Sequence, residues 1–189
     1  MPAPLNIQTI PVGLLATQCY IVSLPSRSDC LVIDPGAEPE RIREAMAGKH
    51  LAAILLTHGH FDHIGAVRSL KTAGVPLYIH ALDAPMLADP HLNLCGMIRQ
   101  TITAPAADHL LHEGDTVQAA GITLTVLHTP GHTPGSVCYQ AGDVLFTGDT
   151  LFHGGCGRTD FPGGSDVEMQ ASLTRLAPLA HACTIYPGH

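Results

Sequence analysis

The chain has 189 residues, 46% of them hydrophobic and 13% charged, with a net charge of −7. That size and apolar content exclude wholesale disorder and fit one domain, read here over 1–189, with a core that needs no disulfides. Nine Lys and Arg in total exclude a basic nucleic-acid face, and no apolar run approaches the ~18 residues of a membrane span.

The first third reads as short strands over 6–12, 19–23 and 30–33, rich in Val, Ile and Leu and bounded by turn residues. Asp34-Pro35-Gly36 is a turn, and 38–46 has the spacing of a short helix. A continuous apolar run over 51–57 fits a strand buried on both faces. A helical pattern over 62–73 ends at Gly74-Val75-Pro76, and a short strand follows over 77–79. Residues 81–107 are weakly patterned, with a short helix expected at 84–87. In the second half, strands are expected over 116–119, 122–127, 136–140 and 143–146. An amphipathic helix over 166–176 and a closing strand over 183–186 complete the chain. Strands with interspersed helices suggest a layered α/β domain.

Histidine is the compositional outlier, with 13 residues against nine Lys and Arg. Neutral imidazole is the commonest metal ligand, so the excess points to metal. The densest cluster is His58-Gly59-His60-Phe61-Asp62-His63, directly after the buried strand. In an extended loop His58 and His60 project to one side, while Asp62 and His63 open the next helix and aim at a neighbouring point. Such ligands divide between two adjacent ions. Three other strand-end turns add His132, Asp149 and His189. Five His and two Asp are a complement for two zinc-type ions, with one carboxylate able to bridge.

This His-x-His-x-Asp-His pattern, with the later His, Asp and His in order, resembles the metallo-β-lactamase-fold hydrolase superfamily over essentially the whole chain. The resemblance implies a four-layer αββα sandwich with the metals at one edge. It implies that His58, His60 and His132 hold one ion, that Asp62, His63 and His189 hold the other, and that Asp149 bridges them. It implies two divalent ions, zinc first, with iron or manganese as alternatives. Asp34 matches the family's first acidic position, from which it would orient the ligand loop. Gly148-Asp149-Thr150-Leu151-Phe152 and Gly155-Cys156-Gly157-Arg158 are similar to stretches of short glyoxalase II-like thioester hydrolases. In that group a metal-bridging hydroxide cleaves a hydroxyacylglutathione-type small-molecule thioester. Asp62 would ligate and orient the nucleophile, and Arg158 would hold a glutathione carboxylate. The alternative for Arg158 is an ion pair with Asp160.

A second family reading is a mononuclear iron persulfide dioxygenase, with iron on His58, His132 and Asp149. Pro187-Gly188-His189 matches the glyoxalase II form, because the dioxygenases tend to carry a bulkier residue before that histidine. The chain stops at His189, where family members continue, and this is read as a C-terminal truncation. A β-lactamase role is disfavoured because no secretory leader is visible at Met1-Pro2-Ala3-Pro4-Leu5-Asn6. The six cysteines include no Cys-x-x-Cys pair, and most are read as buried apolar residues in a reducing cytoplasm. Neither nucleic acid nor membrane is expected as a partner, and oligomeric state is not legible.

Overall fold

Side-chain alternation decides how the first strands pack. The computed structural model describes residues 4–189, so residues 1–3 of the N-terminal stretch read above lie outside it. Strands β1 (Asn6–Val12), β2 (Thr17–Ser23), β3 (Asp29–Ile33), β4 (His50–Leu55), β5 (Leu77–His80) and β6 (His109–Leu111) form one sheet in that spatial order. β1 to β3 pair antiparallel, and β3 to β6 pair parallel. Cys30 and Val32 of β3 face one side, and Leu31 and Ile33 face the other, all fully buried. A strand covered on both faces must be apolar throughout, which is why these runs show no polar alternation.

The second sheet runs β11 (Thr184–Pro187), β10 (Val144–Gly148), β9 (Val137–Ala141), β8 (Ile122–His128), β7 (Thr116–Ala119). It is antiparallel except for the β10–β11 pair. One core joins the inner faces of the two sheets, with Leu31, Leu55, Val126, Tyr139 and Phe146 among its members. A second core packs the outer face of the first sheet against α1 (Pro39–Ala45) and α3 (Val67–Leu70), through Ile42, Val67 and Leu70. A third packs the outer face of the second sheet against α4 (Asp166–Ala182), through Leu145 and Leu176. Helices outside and two sheets within make the expected four-layer αββα sandwich.

The helix expected over 62–73 is instead two four-residue helices, α2 (Phe61–Ile64) and α3. Between them the Ala66 amide donates to the Pro35 carbonyl at 2.9 Å, outside the helix. A β-carbon at Gly65 would lie 2.2 Å from the Gly36 carbonyl oxygen, so the chain bends where the turn after β3 presses on it. The short helix expected at 84–87 is a 3₁₀ turn, and a second 3₁₀ turn forms over Cys95–Ile98. β6 was not legible because three residues, His-Leu-Leu, show no period. α4 extends six residues past its expected end at 176, beyond Pro178. Leu179 packs with Leu176 and Leu145, so tertiary contacts carry the helix across the proline. Ser165 caps its start, accepting from the Glu168 amide at 3.3 Å.

Four cysteines (Cys19, Cys30, Cys95 and Cys138) are buried, and all six are unpaired. Burial pushes the Cys138 thiol up to about 12, which keeps it neutral and inert. Burial of most of the set agrees with expectation; Cys183 is half-buried and Cys156 is exposed. Among the described residues no helix is long and apolar enough to cross a membrane.

His80, at the end of β5, stacks on His128 with ring centroids 4.1 Å apart. Burial, then His128 and His112, push its pKa down from 6.5 to about 4, against a smaller upward pull from Asp115 and Glu113. The unfolded chain takes up that proton at higher pH than the folded one. Stability from neutral His80 is therefore complete above pH 6.5 and declines as pH falls from there toward about 4. Urea unfolding between about pH 7 and 4.5 measures this slope. His80→Asn, which keeps an acceptor for the Leu82 amide, is expected to flatten it.

Candidate metal centre

The ligand candidates all sit just past strand ends, where backbone hydrogen bonding stops and side chains are free to converge. His58, His60, Asp62 and His63 follow β4, His132 follows β8, Asp149 follows β10 and His189 follows β11. All seven meet at one edge between the sheets. Two trios form, His58/His60/His132 and Asp62/His63/His189, and a third set, His58/His63/Asp149, joins them; in each the ligand atoms lie within 4.8 Å of one another. Asp149 lies between them. Its Oδ1 is 3.4 Å from His63 Nε2, and its Oδ2 is 3.5 Å from both His132 Nε2 and His189 Nε2.

In four of the five histidines, all but His60, the far nitrogen is tied down by oxygen. His132 Nδ1 donates to the Arg158 carbonyl at 2.7 Å, and His63 Nδ1 donates to Asp34 Oδ2 at 3.0 Å. His189 Nδ1 donates to the Leu15 carbonyl at 3.2 Å. Thr57 Oγ1 gives its proton to Asp34 Oδ2 at 2.6 Å and so accepts from His58 Nδ1 at 3.1 Å. Each bond fixes a tautomer that leaves Nε2 a bare lone pair aimed inward, the arrangement that orients imidazole toward metal. Among the described residues, His58 Nε2, His60 Nε2, His63 Nε2 and Asp149 Oδ1 are buried with no hydrogen-bond partner. Orphaned polar atoms are costly, and His58 Nε2, His63 Nε2 and Asp149 Oδ1, with His60 Nδ1 only 2.9 Å from His132 Nε2, match the donor set of a divalent-ion site. The residues fit the ions that the resemblance implies.

Electrostatics divide the centre. Burial, then His63, His60 and His132, hold His58 well below its ordinary pKa. Burial, then His132, bring His60 to about 3. Both stay neutral near pH 7, as ligation requires. For His63 burial acts downward but is outweighed by Asp62, Asp149 and Asp34, and the net direction is up. Asp62 is also pushed up by burial, yet His63, His189 and the Thr17 hydroxyl hold it below the usual carboxylate range.

Asp34 is buried beside the ligand candidates. Its Oδ1 accepts from the Thr57 amide at 2.8 Å, so one buried carboxylate orients both the His58 side and the His63 side. It does so with φ of 51°, a left-handed backbone that Asp tolerates better than most residues. The adjoining Gly36 is obligatory, since a β-carbon there would lie 1.5 Å from the Asp62 carbonyl oxygen. Asp34→Asn is expected to weaken metal affinity about 10- to 100-fold, the usual cost of a lost orienting partner. Competition with a chromogenic chelator reads it.

Two contributors escaped the sequence reading. Thr17 Oγ1 donates to Asp62 Oδ2 at 2.7 Å, across 45 residues of sequence. Asp83, fully buried, ties two ligand loops together. Its Oδ2 accepts from the Gly59 amide at 3.1 Å and from Thr133 Oγ1 at 2.6 Å, and its Oδ1 accepts from the Gly135 amide at 2.7 Å. Its one sequence signal was weak: like the ligands, it follows a strand end. Arg158 forms the alternative contact considered for it, a two-pronged pair with Asp160 at 2.6 Å for each arm, and its guanidinium lies 4.1 Å above the Phe161 ring.

A cavity of about 450 Å³ opens over the ligands, lined by His60, Asp62, His132, Asp149 and His189 on one side. Its other wall is mostly apolar, including Leu15, Met97, Ile98 and Phe152.

Known proteins are similar to this chain in sequence and fold. The probable metallo-hydrolase YqgX of Bacillus subtilis is 40% identical over 187 residues, covering 95% of this chain and 88% of that protein. A hydroxyacylglutathione hydrolase of Aeromonas salmonicida is 39% identical over 92% of this chain, which spans only 61% of that enzyme. Among solved structures, the BLEG-1 B3 metallo-beta-lactamase superposes with a TM-score of 0.91 at 37% identity, covering 97% of this chain and 91% of its own. The di-iron-bound form of TTHA1623 gives 0.85 at 37% identity, covering 96% and 91%. ETHE1 from Myxococcus xanthus gives 0.80 at 29% identity, covering 97% and 75%. The sequence model of the metallo-beta-lactamase superfamily matches residues 12–189, and the chain belongs to that superfamily.

Proposed function

We propose that the protein is a dinuclear metal-dependent hydrolase acting on a small-molecule thioester of the hydroxyacylglutathione type, in the cytoplasm. The observation that carries the reading is the position of Asp149, whose two oxygens face histidines of both trios. His58, His60 and His132 would hold one ion, Asp62, His63 and His189 the other, and Asp149 both. When bound, divalent ions polarise the substrate carbonyl and make a nucleophile available from water near neutral pH. Zinc suits this mixed His/Asp donor set.

The chain's own residues do the rest. Asp62, anchored through Oδ2 by Thr17, would orient the attacking water. Asp34 and Thr57 keep His58 and His63 from rotating. The apolar wall excludes bulk water. A thiolate leaves readily, so the absence of a dedicated general acid is no obstacle. Gly188 supports the dinuclear form, because a β-carbon there would lie 2.1 Å from Asp149 Oδ1 and disturb the shared carboxylate. Arg158, with two of its nitrogens on Asp160, retains Nη1 for a substrate carboxylate. The buried, unpaired cysteines accord with a reducing compartment.

The similarity to ETHE1 favours the second reading, a mononuclear iron dioxygenase on His58, His132 and Asp149. One preparation tests both: metal content by mass spectrometry, S-lactoylglutathione hydrolysis, persulfide-dependent oxygen uptake, and β-lactam hydrolysis because of the BLEG-1 likeness. Two zinc-like equivalents with thioesterase activity are expected. A single iron with oxygen uptake and no thioesterase activity overturns the proposal, as does β-lactam hydrolysis alone.

A further inference from the structure

The wall opposite the ligands is built rather than incidental. It consists of Leu15, Phe61, Leu94, Met97, Ile98 and Phe152. Met97 is 66% exposed and Leu15 52%, an unfavourable display for side chains with no partner. The 3₁₀ turn Cys95–Ile98 that carries Met97 and Ile98 is held in a strained form. Leu94 before it and Arg99 after it both have left-handed backbones, with φ of 67° and 55°. Such conformations persist only where surrounding contacts enforce them. The enforcing residue is Asn93, which is fully buried. Its amide nitrogen donates to the Met86 and Ile102 carbonyls, at 3.1 and 2.9 Å, and its side-chain oxygen accepts from the Cys95 amide at 3.0 Å. Its own carbonyl accepts from the Phe61 amide at 2.9 Å, inside the ligand loop. The apolar turn and the ligand loop are thereby one rigid unit.

Charge in the cavity is scarce. Apart from the ligand candidates, its one ionised lining residue among the described residues is Arg158, paired with Asp160 and seated on Phe161. Among the described residues, a substrate arm bearing several carboxylates finds there only Arg158 Nη1, the one nitrogen of that fork not bonded to Asp160.

We infer that the substrate carries an uncharged, apolar arm next to the scissile bond, and that the Leu15–Met97–Ile98 wall selects it. This rests on the thioester-hydrolase reading and narrows its substrate class. In that reaction the C–S bond breaks and a C–O bond forms. Water supplies the hydroxyl, and its remaining proton goes to the thiolate.

The test uses two thioester series. In one, N-acetylcysteamine is fixed and the acyl group runs through acetyl, butanoyl, hexanoyl and succinyl. In the other, acetyl is fixed and the thiol lengthens from ethanethiol to hexanethiol. In one of the series kcat/KM should rise about fourfold for each methylene that becomes buried, and succinyl should be poorer than butanoyl. Met97→Ser should flatten that rise. Alongside, calorimetry measures binding of non-hydrolysable S-ethyl and S-hexyl N-acetylcysteamine thioethers. Flat profiles in both series, or a preference for succinyl over butanoyl, overturn the inference. If no thioester is hydrolysed, the hydrolase reading falls and calorimetry decides this one. Tighter binding of the hexyl thioether sustains the apolar wall, and equal or absent binding removes it.

Discussion

His58→Ala and His132→Ala are each expected to lower kcat/KM by at least about a thousandfold. Lewis-acid stabilisation supplies several kcal/mol, and each 1.36 kcal/mol is a decade in rate. Each change removes one Nε2 from a trio that has three ligand atoms besides the shared Asp149. The fold should survive, because these side chains lie at the sheet edge and belong to none of the three apolar cores. Metal content, activity and the urea midpoint measured on the same samples separate the effects. Normal activity with a full complement of metal in either variant would falsify the ligand assignment. His63→Ala and His189→Ala discriminate further. Under the dinuclear reading they cost one equivalent of metal and most of the hydrolysis, whereas a mononuclear site on His58, His132 and Asp149 loses little.

Asp83→Ala is expected to reduce both stability and metal affinity, although Asp83 belongs to neither ligand trio. Its removal leaves the Gly59 and Gly135 amides without an acceptor and takes one from the Thr133 hydroxyl, all in buried surroundings. Unsatisfied buried donors cost about 1–3 kcal/mol each, so a loss of about 3 kcal/mol in total is a moderate expectation. Because the carboxylate spans the His58–His63 loop and the His132 turn, metal affinity should fall about 10- to 100-fold as well. Asp83→Asn should lie between, since it keeps one acceptor oxygen but turns an NH₂ toward another donor. Urea unfolding gives the first quantity and chelator competition the second. Loss of stability with unchanged metal affinity would restrict Asp83 to the fold.

The ligand cluster was legible because its signal is local and chemical. His58, His60, Asp62 and His63 lie within six residues, and strand-end turns flagged His132, Asp149 and His189. The strands of both sheets were legible from apolar runs with turn residues around them, and β1 and β7 emerged with the expected limits. What escaped depends on distant contacts. The break between α2 and α3 is imposed by the turn at Pro35 and Gly36, which no pattern over 62–73 contains. Helix α4 passes Pro178 because Leu179 finds Leu176 and Leu145. Thr17 and Asp83 carry no motif. Their roles exist only once the β1–β2 hairpin and the end of β5 arrive beside the ligand loops. The family resemblance gave the layer order, which periodicity alone left at layered α/β.

Each sheet is contiguous in sequence: the first is complete by Leu111, and the second begins at Thr116. The peptide between them therefore crosses no hydrogen-bonded ladder. Cutting the gene there would give two fragments, each with every strand of its own sheet. Neither half could stand alone, since the inner faces carrying Leu31 and Leu55 on one side, and Val126 and Phe146 on the other, would be bare to water. Four ligand candidates would travel with one fragment and three with the other. Such a pair is suited to complementation: co-expressed fragments should reassemble, and divalent ion should tighten their association by mass action.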